Sequence, residues 1–306
     1  MKPINGIILK IISVTIFVGM ASLVKAASDT VPPGEAVFFR SFFAIPVILV
    51  WLAMRGDLRD GLKTKNPLAH LWRGLVGTSA MAFGFAALGL LPLPEVTALG
   101  YAAPLLVVIL AAMFLGEQVR LFRLSAVSLG LLGVLIILSP RLTSLNSHVE
   151  TAEALGAILV LCGAMFSAMA QVFVRKMVQT ERTAAIVFYF SVTAALLSLV
   201  SLPYGWVVPS PKVVLMLICA GLLGGLGQIF LTSSYRFADV SVIAPFEYAS
   251  MLLALAVGYF IFGEVPTLTM LFGAALVISG GVLIIWREHQ LGLERNRQRR
   301  AMSPGG

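Results

Sequence analysis

Two apolar segments of this chain end alike, Leu115-Gly116-Glu117 and Phe262-Gly263-Glu264, at an offset of 147 residues. The same offset lays Tyr101 on Tyr248, Gly77 on Gly224, Phe83 on Phe230 and Gly133 on Gly280. An offset of 150 lays Gly6 on Gly156, Leu9 on Leu159, Lys25 on Arg175 and Phe38 on Phe188, so a short loop separates the two registers. The chain is one unit built twice. In a membrane protein, such a duplication puts the working site between the halves.

The repeated unit is too apolar for water. Mean hydropathy is +0.97, with 59% apolar and 12% charged residues, against about 25% charged in soluble domains. Crossing a hydrocarbon core takes roughly 20 apolar residues, and ten stretches fit: 4–26, 36–54, 69–90, 95–115, 122–139, 153–174, 183–202, 212–233, 240–262 and 267–286. Leu91-Pro92-Leu93-Pro94 separates the third from the fourth, because two prolines favour a turn over a continuous helix. The expected fold is an all-α integral membrane protein of ten transmembrane helices. Residues 4–141 form the first five-helix repeat, 153–286 the second, and 287–306 a basic tail.

Five is odd, so the second repeat crosses the membrane in the opposite sense. The result is a pair of inverted repeats, able to rock between outward-open and inward-open shapes. Lys and Arg collect on the cytoplasmic side. Seventeen of the 22 fall in segments on one face, Arg73 and the Arg295–Arg300 cluster among them; Lys25, Arg141 and Lys212 fall on the other, and Lys10 and Arg40 lie within spans. Both termini are therefore expected in the cytoplasm, in a cell inner (cytoplasmic) membrane protein. The net charge of +8 follows from this insertion rule, so nucleic acid is not an expected partner; the bilayer is. The first span has a counterpart at 153–174, so it reads as a retained helix rather than a cleaved signal. Cys162 and Cys219 read as small core residues, and no metal or cofactor is expected.

Glycines 130, 133, 221, 224, 225, 227, 273, 280 and 281 suit close helix approach, either static or sliding. Gly116 and Gly263 suit left-handed helix caps. Glu117 and Glu264, like Glu95, suit the first turn of the following helix.

With the duplication, the ten spans and the two Gly-Glu turns, the chain resembles the drug/metabolite transporter superfamily, and within it the ten-helix EamA-type carriers. Arg40-Ser41-Phe42-Phe43-Ala44 is a further local likeness. Leu99-Gly100-Tyr101-Ala102-Ala103-Pro104 and Ala244-Pro245-Phe246-Glu247-Tyr248 look similar to a bacterial subgroup that moves riboflavin, S-adenosylmethionine or amino-acid-like metabolites. The resemblance implies a cavity among the third, fourth, eighth and ninth helices, with contributions from the first and sixth. The glutamate that four-helix multidrug relatives carry in the first helix is missing; the first span offers Lys10 instead.

Ionisable groups deep in a bilayer cost several kcal/mol and mark function. Glu247 is the carboxylate that qualifies; it either meets a solute or a coupling proton, or is tied to a neighbouring helix by a structural hydrogen bond. Tyr101 and Tyr248 either sandwich or hydrogen-bond a solute or are core residues. Arg40 either snorkels to the interface, as an anchor or ion-pair partner, or touches solute. Gln171 and Gln228 either line an inner vestibule or join helices. The expected function is a secondary transporter of a small polar or aromatic metabolite, not an enzyme. Alternatives are an exporter of amino acids or drugs and, more remotely, a channel or an intramembrane enzyme. No His-Glu-x-x-His motif exists, and His70, His148 and His289 fall at span ends or in loops. Oligomeric state and direction of transport stay open.

Overall fold

Proline and glycine decide where the helices begin, bend and touch. A computed structural model describes residues 3–58, 60–115, 121–143, 148–237 and 244–302, and among these every regular element is helical. The order is α1 (Pro3–Ala27), α2 (Pro33–Phe42), α3 (Ala44–Met54), α4 (Pro67–Leu88), α5 (Leu93–Gly100), α6 (Ala102–Leu115), α7 (Leu121–Thr143), α8 (His148–Met177), α9 (Thr183–Ser198), α10 (Pro211–Phe237), a 3-10 turn at Ala244–Tyr248, α11 (Ala249–Phe262) and α12 (Leu268–Met302). Seven described stretches are long and apolar enough to cross a membrane. The expected spans 95–115, 122–139 and 240–262 coincide instead with the shorter apolar helices Leu93–Val107, Leu124–Pro140 and Phe246–Phe262. The fold is that of a multi-pass membrane protein.

Two breaks share one cause. α2 passes into α3 at Phe43, and α5 into α6 at Tyr101, each with ψ near zero (−8° and −3°). Pro46 and Pro104 stand three residues beyond, where each ring displaces the carbonyl four residues back and removes the N–H it would have bonded. α4 begins at Pro67 behind Asn66, whose side chain accepts from the Ala69 N–H at 3.1 Å. Gly263 closes α11 with φ +67°, the left-handed cap expected of it. Glu264 does not open the next helix, which begins at Leu268. Gly116, Glu117 and the loop Ala238-Asp239-Val240-Ser241 lie outside the described residues.

The main helix pairs are α1 on α10, α7 on α12, α4 on α8 and α4 on α9, and glycine makes several of them close. A Cβ on Gly133 would meet the Gly273 carbonyl at 2.5 Å, and one on Gly280 the Ala126 carbonyl at 2.6 Å. On α10, Gly221 receives Phe43, Gly225 receives Ala44 and Gly227 receives the Phe17 ring. Ser13 Oγ donates to the Gly227 carbonyl at 2.9 Å. Cys162 is exposed on α8 rather than buried, since an apolar helix in lipid carries apolar residues on its outer face too.

Polar clasps hold both ends of the bundle. At one end, Lys25 Nζ lies 2.9 Å from Glu264 Oε1 and donates to the Leu91 carbonyl at 2.8 Å, while the Leu93 N–H donates to Glu264 Oε2 at 2.9 Å. At the other, the buried Glu181 accepts from the Lys65 and Asn66 N–H groups at 2.9 and 3.1 Å and lies 3.4 Å from His70 Nε2. Arg236 donates to the Glu181 carbonyl, and Arg182 pairs with Asp57 at 2.6 Å.

Burial alone would raise the Glu181 carboxyl, but the Lys65 N–H, His70 and Thr64 together hold it below its ordinary value of 4.5. A carboxyl depressed in the folded state stabilises fully above its unfolded value and loses that contribution as pH falls through the folded value. Glu181→Ala is therefore expected to lower stability by about 2 kcal/mol at neutral pH, as charged hydrogen bonds do. Thermal unfolding in detergent should show the gap to wild type narrowing below pH 4.5.

Candidate functional site

α1, α4, α5, α8 and α10 wall a cavity of about 360 Å³, completed by Arg40 of α2, Phe190 of α9 and Glu247 of the 3-10 turn. That volume falls within the range of about 300–1,000 Å³ usual for small-molecule sites. Most of the wall is apolar, with Phe17, Met20, Met81 and Leu231 among its residues.

Glu247 owes its position to the turn before α11. Instead of continuing a helix, Ala244–Tyr248 winds tightly enough to aim the carboxylate at α1. There Lys10 Nζ meets Glu247 Oε2 at 2.9 Å; the lysine side chain is 2% exposed and the glutamate 37%. The Tyr235 ring faces the same ammonium, 6.0 Å from centroid to Nζ. One end of the pair is sealed in protein while the other keeps a face to the cavity. Because Glu247 stays partly exposed, removing one partner costs less than the about 3–5 kcal/mol of a fully buried pair.

Two guanidiniums occupy the opposite chemistry. Arg40 and Arg73 are 2% and 6% exposed, and both sit over the Phe190 ring, Cζ to centroid 5.3 and 4.1 Å. Room for them comes from glycine: a Cβ on Gly224 would meet Arg40 Nε at 2.8 Å, and one on Gly77 would strike Arg73 Nη1. Arg40 Nη2 reaches the Gly224 carbonyl at 3.5 Å. Among the described residues, Nε and Nη1 of both arginines have no hydrogen-bond partner.

Four of the six residues singled out from the sequence, Arg40, Gln171, Gln228 and Glu247, line this one cavity. Arg40 does not snorkel to the interface. It turns inward because Gly224 and Phe190 offer it space and a ring face. Glu247 is tied to a neighbouring helix, by an ion pair with Lys10. Tyr101 and Tyr248 do not line the cavity; their rings pack on each other edge to face, with centroids 4.9 Å apart and planes at 71°. That contact leaves no gap between them for a flat solute. The Tyr101 hydroxyl lies 2.6 Å from Ser250 Oγ. Sequence reasoning missed Lys10 as a site residue although its depth in the first span carried the signal. It also counted Arg73 with a cytoplasmic loop, whereas Arg73 stands more than a turn inside α4.

The sequence profile of the EamA-like transporter family matches residues 4–139 and 154–286, and that of solute carrier family 35 matches 92–204. The pseudopaline exporter of Pseudomonas aeruginosa is 32% identical over 92% of this chain and 93% of its own length. The S-adenosylmethionine uptake transporter of Rickettsia conorii is 28% identical over 83% of each chain. The riboflavin transporter of Rhizobium johnstonii is 27% identical over 89% of this chain and 84% of its own. A solved crystal structure with 21% identity covers 94% of this chain and 98% of its own at a TM-score of 0.66, a likeness of fold.

Because the Tyr101 hydroxyl bonds behind the cavity wall, Tyr101→Phe is expected to cost about 1 kcal/mol of stability and to leave solute affinity unchanged. Paired thermal-unfolding and binding measurements check this. Lost affinity at unchanged stability would put the hydroxyl in the cavity instead.

Proposed function

We propose, since the chain belongs to the EamA-like transporter family, that it is a secondary transporter carrying a small polar or aromatic metabolite across the cytoplasmic (inner) membrane by alternating access. In this reading residues 4–141 and 153–286 are inverted five-helix repeats, and both termini, with the basic tail 287–306, are cytoplasmic. The relatives are named for transport rather than catalysis, which favours a carrier over an intramembrane enzyme. One relative is an exporter and another an uptake transporter, so the fold serves either direction.

The observation that carries the reading is the Lys10–Glu247 pair, whose members come from opposite halves and meet at the wall of a shared cavity. If the halves rock, the pair is where their relative motion and a bound solute or proton meet. A proton on Glu247 would cancel the attraction that holds Lys10; a solute cation would compete for it. Either event favours a different packing of α1 against the 3-10 turn, and alternating access needs such a bias. The helix pairing agrees. α1 lies on α10 and α4 on α8, the reciprocal arrangement that a two-fold related duplication produces.

Counterflow in proteoliposomes tests the reading. Vesicles loaded with riboflavin, S-adenosylmethionine or an amino acid are expected to show transient uphill uptake of the matching tracer for the correct solute. Downhill flux with no overshoot for any transported solute would make the protein a channel. Glu247→Gln is expected to slow exchange at least tenfold, and Lys10→Met to do the same. The double variant should be no worse than either single, because each single already breaks the pair. Normal exchange by Glu247→Gln at every pH would remove the ionic role.

A further inference from the structure

We infer that the cavity takes a solute bearing a carboxylate, clamped by the guanidiniums of Arg40 and Arg73. The inference deepens the carrier reading and rests on it for the claim that the cavity is a transport site. Four observations carry it. Both arginines are buried and line the cavity, each with Nε and Nη1 unpartnered among the described residues. Among the described residues no carboxylate lies within ion-pair distance of either, and Glu247, the acid at the same cavity, already holds Lys10. Phe190 lies under both guanidiniums, supporting their faces while leaving their edges for an acceptor. Gly77 and Gly224, offset partners in the duplicated sequence, are what leave room for Arg73 and Arg40.

An arginine cannot escape such a site by losing its proton. A buried guanidinium needs an anion or a set of acceptors, and among the described residues the two have a ring face and one carbonyl, the latter to Arg40 alone. The planar fork of N–H groups matches an oxyanion in two-point contact. Carboxylate and phosphonate share that chemistry. The surrounding Phe17, Met20 and Met81 suit an apolar or aromatic body attached to it. A purely cationic solute is disfavoured twice, by repulsion from two guanidiniums and by Lys10 already occupying Glu247.

The test uses the full chain in lipid nanodiscs and titration calorimetry with 3-phenylpropionate, its uncharged amide 3-phenylpropionamide, 3-phenylpropylamine and 3-phenylpropylphosphonate. The carboxylate is expected to bind at least tenfold more tightly than the amide or the amine. Arg40→Gln and Arg73→Gln should each weaken carboxylate binding at least tenfold. Gly77→Ala, which keeps both charges but pushes Arg73 off Phe190, should also weaken it, so the inference stays testable should a Gln variant fail to fold. Tighter binding of the phosphonate would overturn the assignment to carboxylate. Equal binding of acid and amide, carboxylate binding unmoved in all three variants, or no binding of the acid at all would overturn the clamp. Carboxylate binding without counterflow of any solute would leave the clamp standing and sink the carrier reading, whereas counterflow with charge-indifferent binding would do the reverse.

Discussion

Close backbone approach at glycine is the contact on which the rest of this fold depends. Between helices in lipid the hydrophobic effect supplies no drive, because acyl chains are as apolar as leucine, and association rests on fit. Gly133 lies against the Gly273 carbonyl and Gly280 against Ala126 and Gly130, so α7 and α12 touch at backbone distance. Under the offset of 147, Gly133 is the partner of Gly280, Gly273 of Ala126 and Val277 of Gly130. The contacts therefore exchange with one another when the halves are swapped. Gly227 against the Phe17 ring and Gly163 against the Ala80 carbonyl draw together α1 with α10 and α4 with α8, and these four helices form most of the cavity wall.

Charge follows a different logic from packing. Lys10 and Glu247 answer each other across the halves, and both ends of the bundle are clasped by acids whose oxygens accept backbone N–H groups. Those groups are satisfied by protein. Nε and Nη1 of Arg40 and Arg73 are not, among the described residues, and on the carboxylate inference a bound oxyanion would offset the cost of burying those charges, several kcal/mol even after relaxation. A structural arginine would be expected to have drawn a carboxylate to itself. On the carboxylate inference, the contrast between the Lys10–Glu247 pair and two arginines without an acid is what marks a site rather than a scaffold.

Much of this was legible in the sequence, for physical reasons that also mark where legibility ended. The duplication exposed Gly133 with Gly280 and Gly77 with Gly224 because at these positions a close approach tolerates no Cβ in either copy. Glu247 stood out because a carboxylate at depth is costly. Lys10 and Arg73 were passed over because the topology rule counts positive residues by side of the membrane and does not ask whether a side chain turns inward. For the tyrosines the sequence left solute contact and core packing open: equal depth in two related halves puts them near the same level, but does not say that each fills the space beside the other, as they do in the core. The break at Phe43 was written in Pro46, three residues away, and went unread because the apolar run continues across it.

The position of Phe190 connects these strands. It belongs to α9, in the second half, yet both guanidiniums above it come from the first half, on α2 and α4. At the offset of 150, Phe190 is itself the counterpart of Arg40, so residues at equivalent places in the two halves face each other, as Tyr101 faces Tyr248. Under the proposed alternating access, a motion of one half against the other would slide the ring beneath the arginines and change the shape of the pocket they form. On the carboxylate inference, an oxyanion held by both guanidiniums would bind better in one such arrangement than in the other, and a difference in affinity is the only means by which a solute can shift a conformational equilibrium. In that reading the shared ring beneath two charges would be both the floor of the site and the place where occupancy is felt by the opposite half.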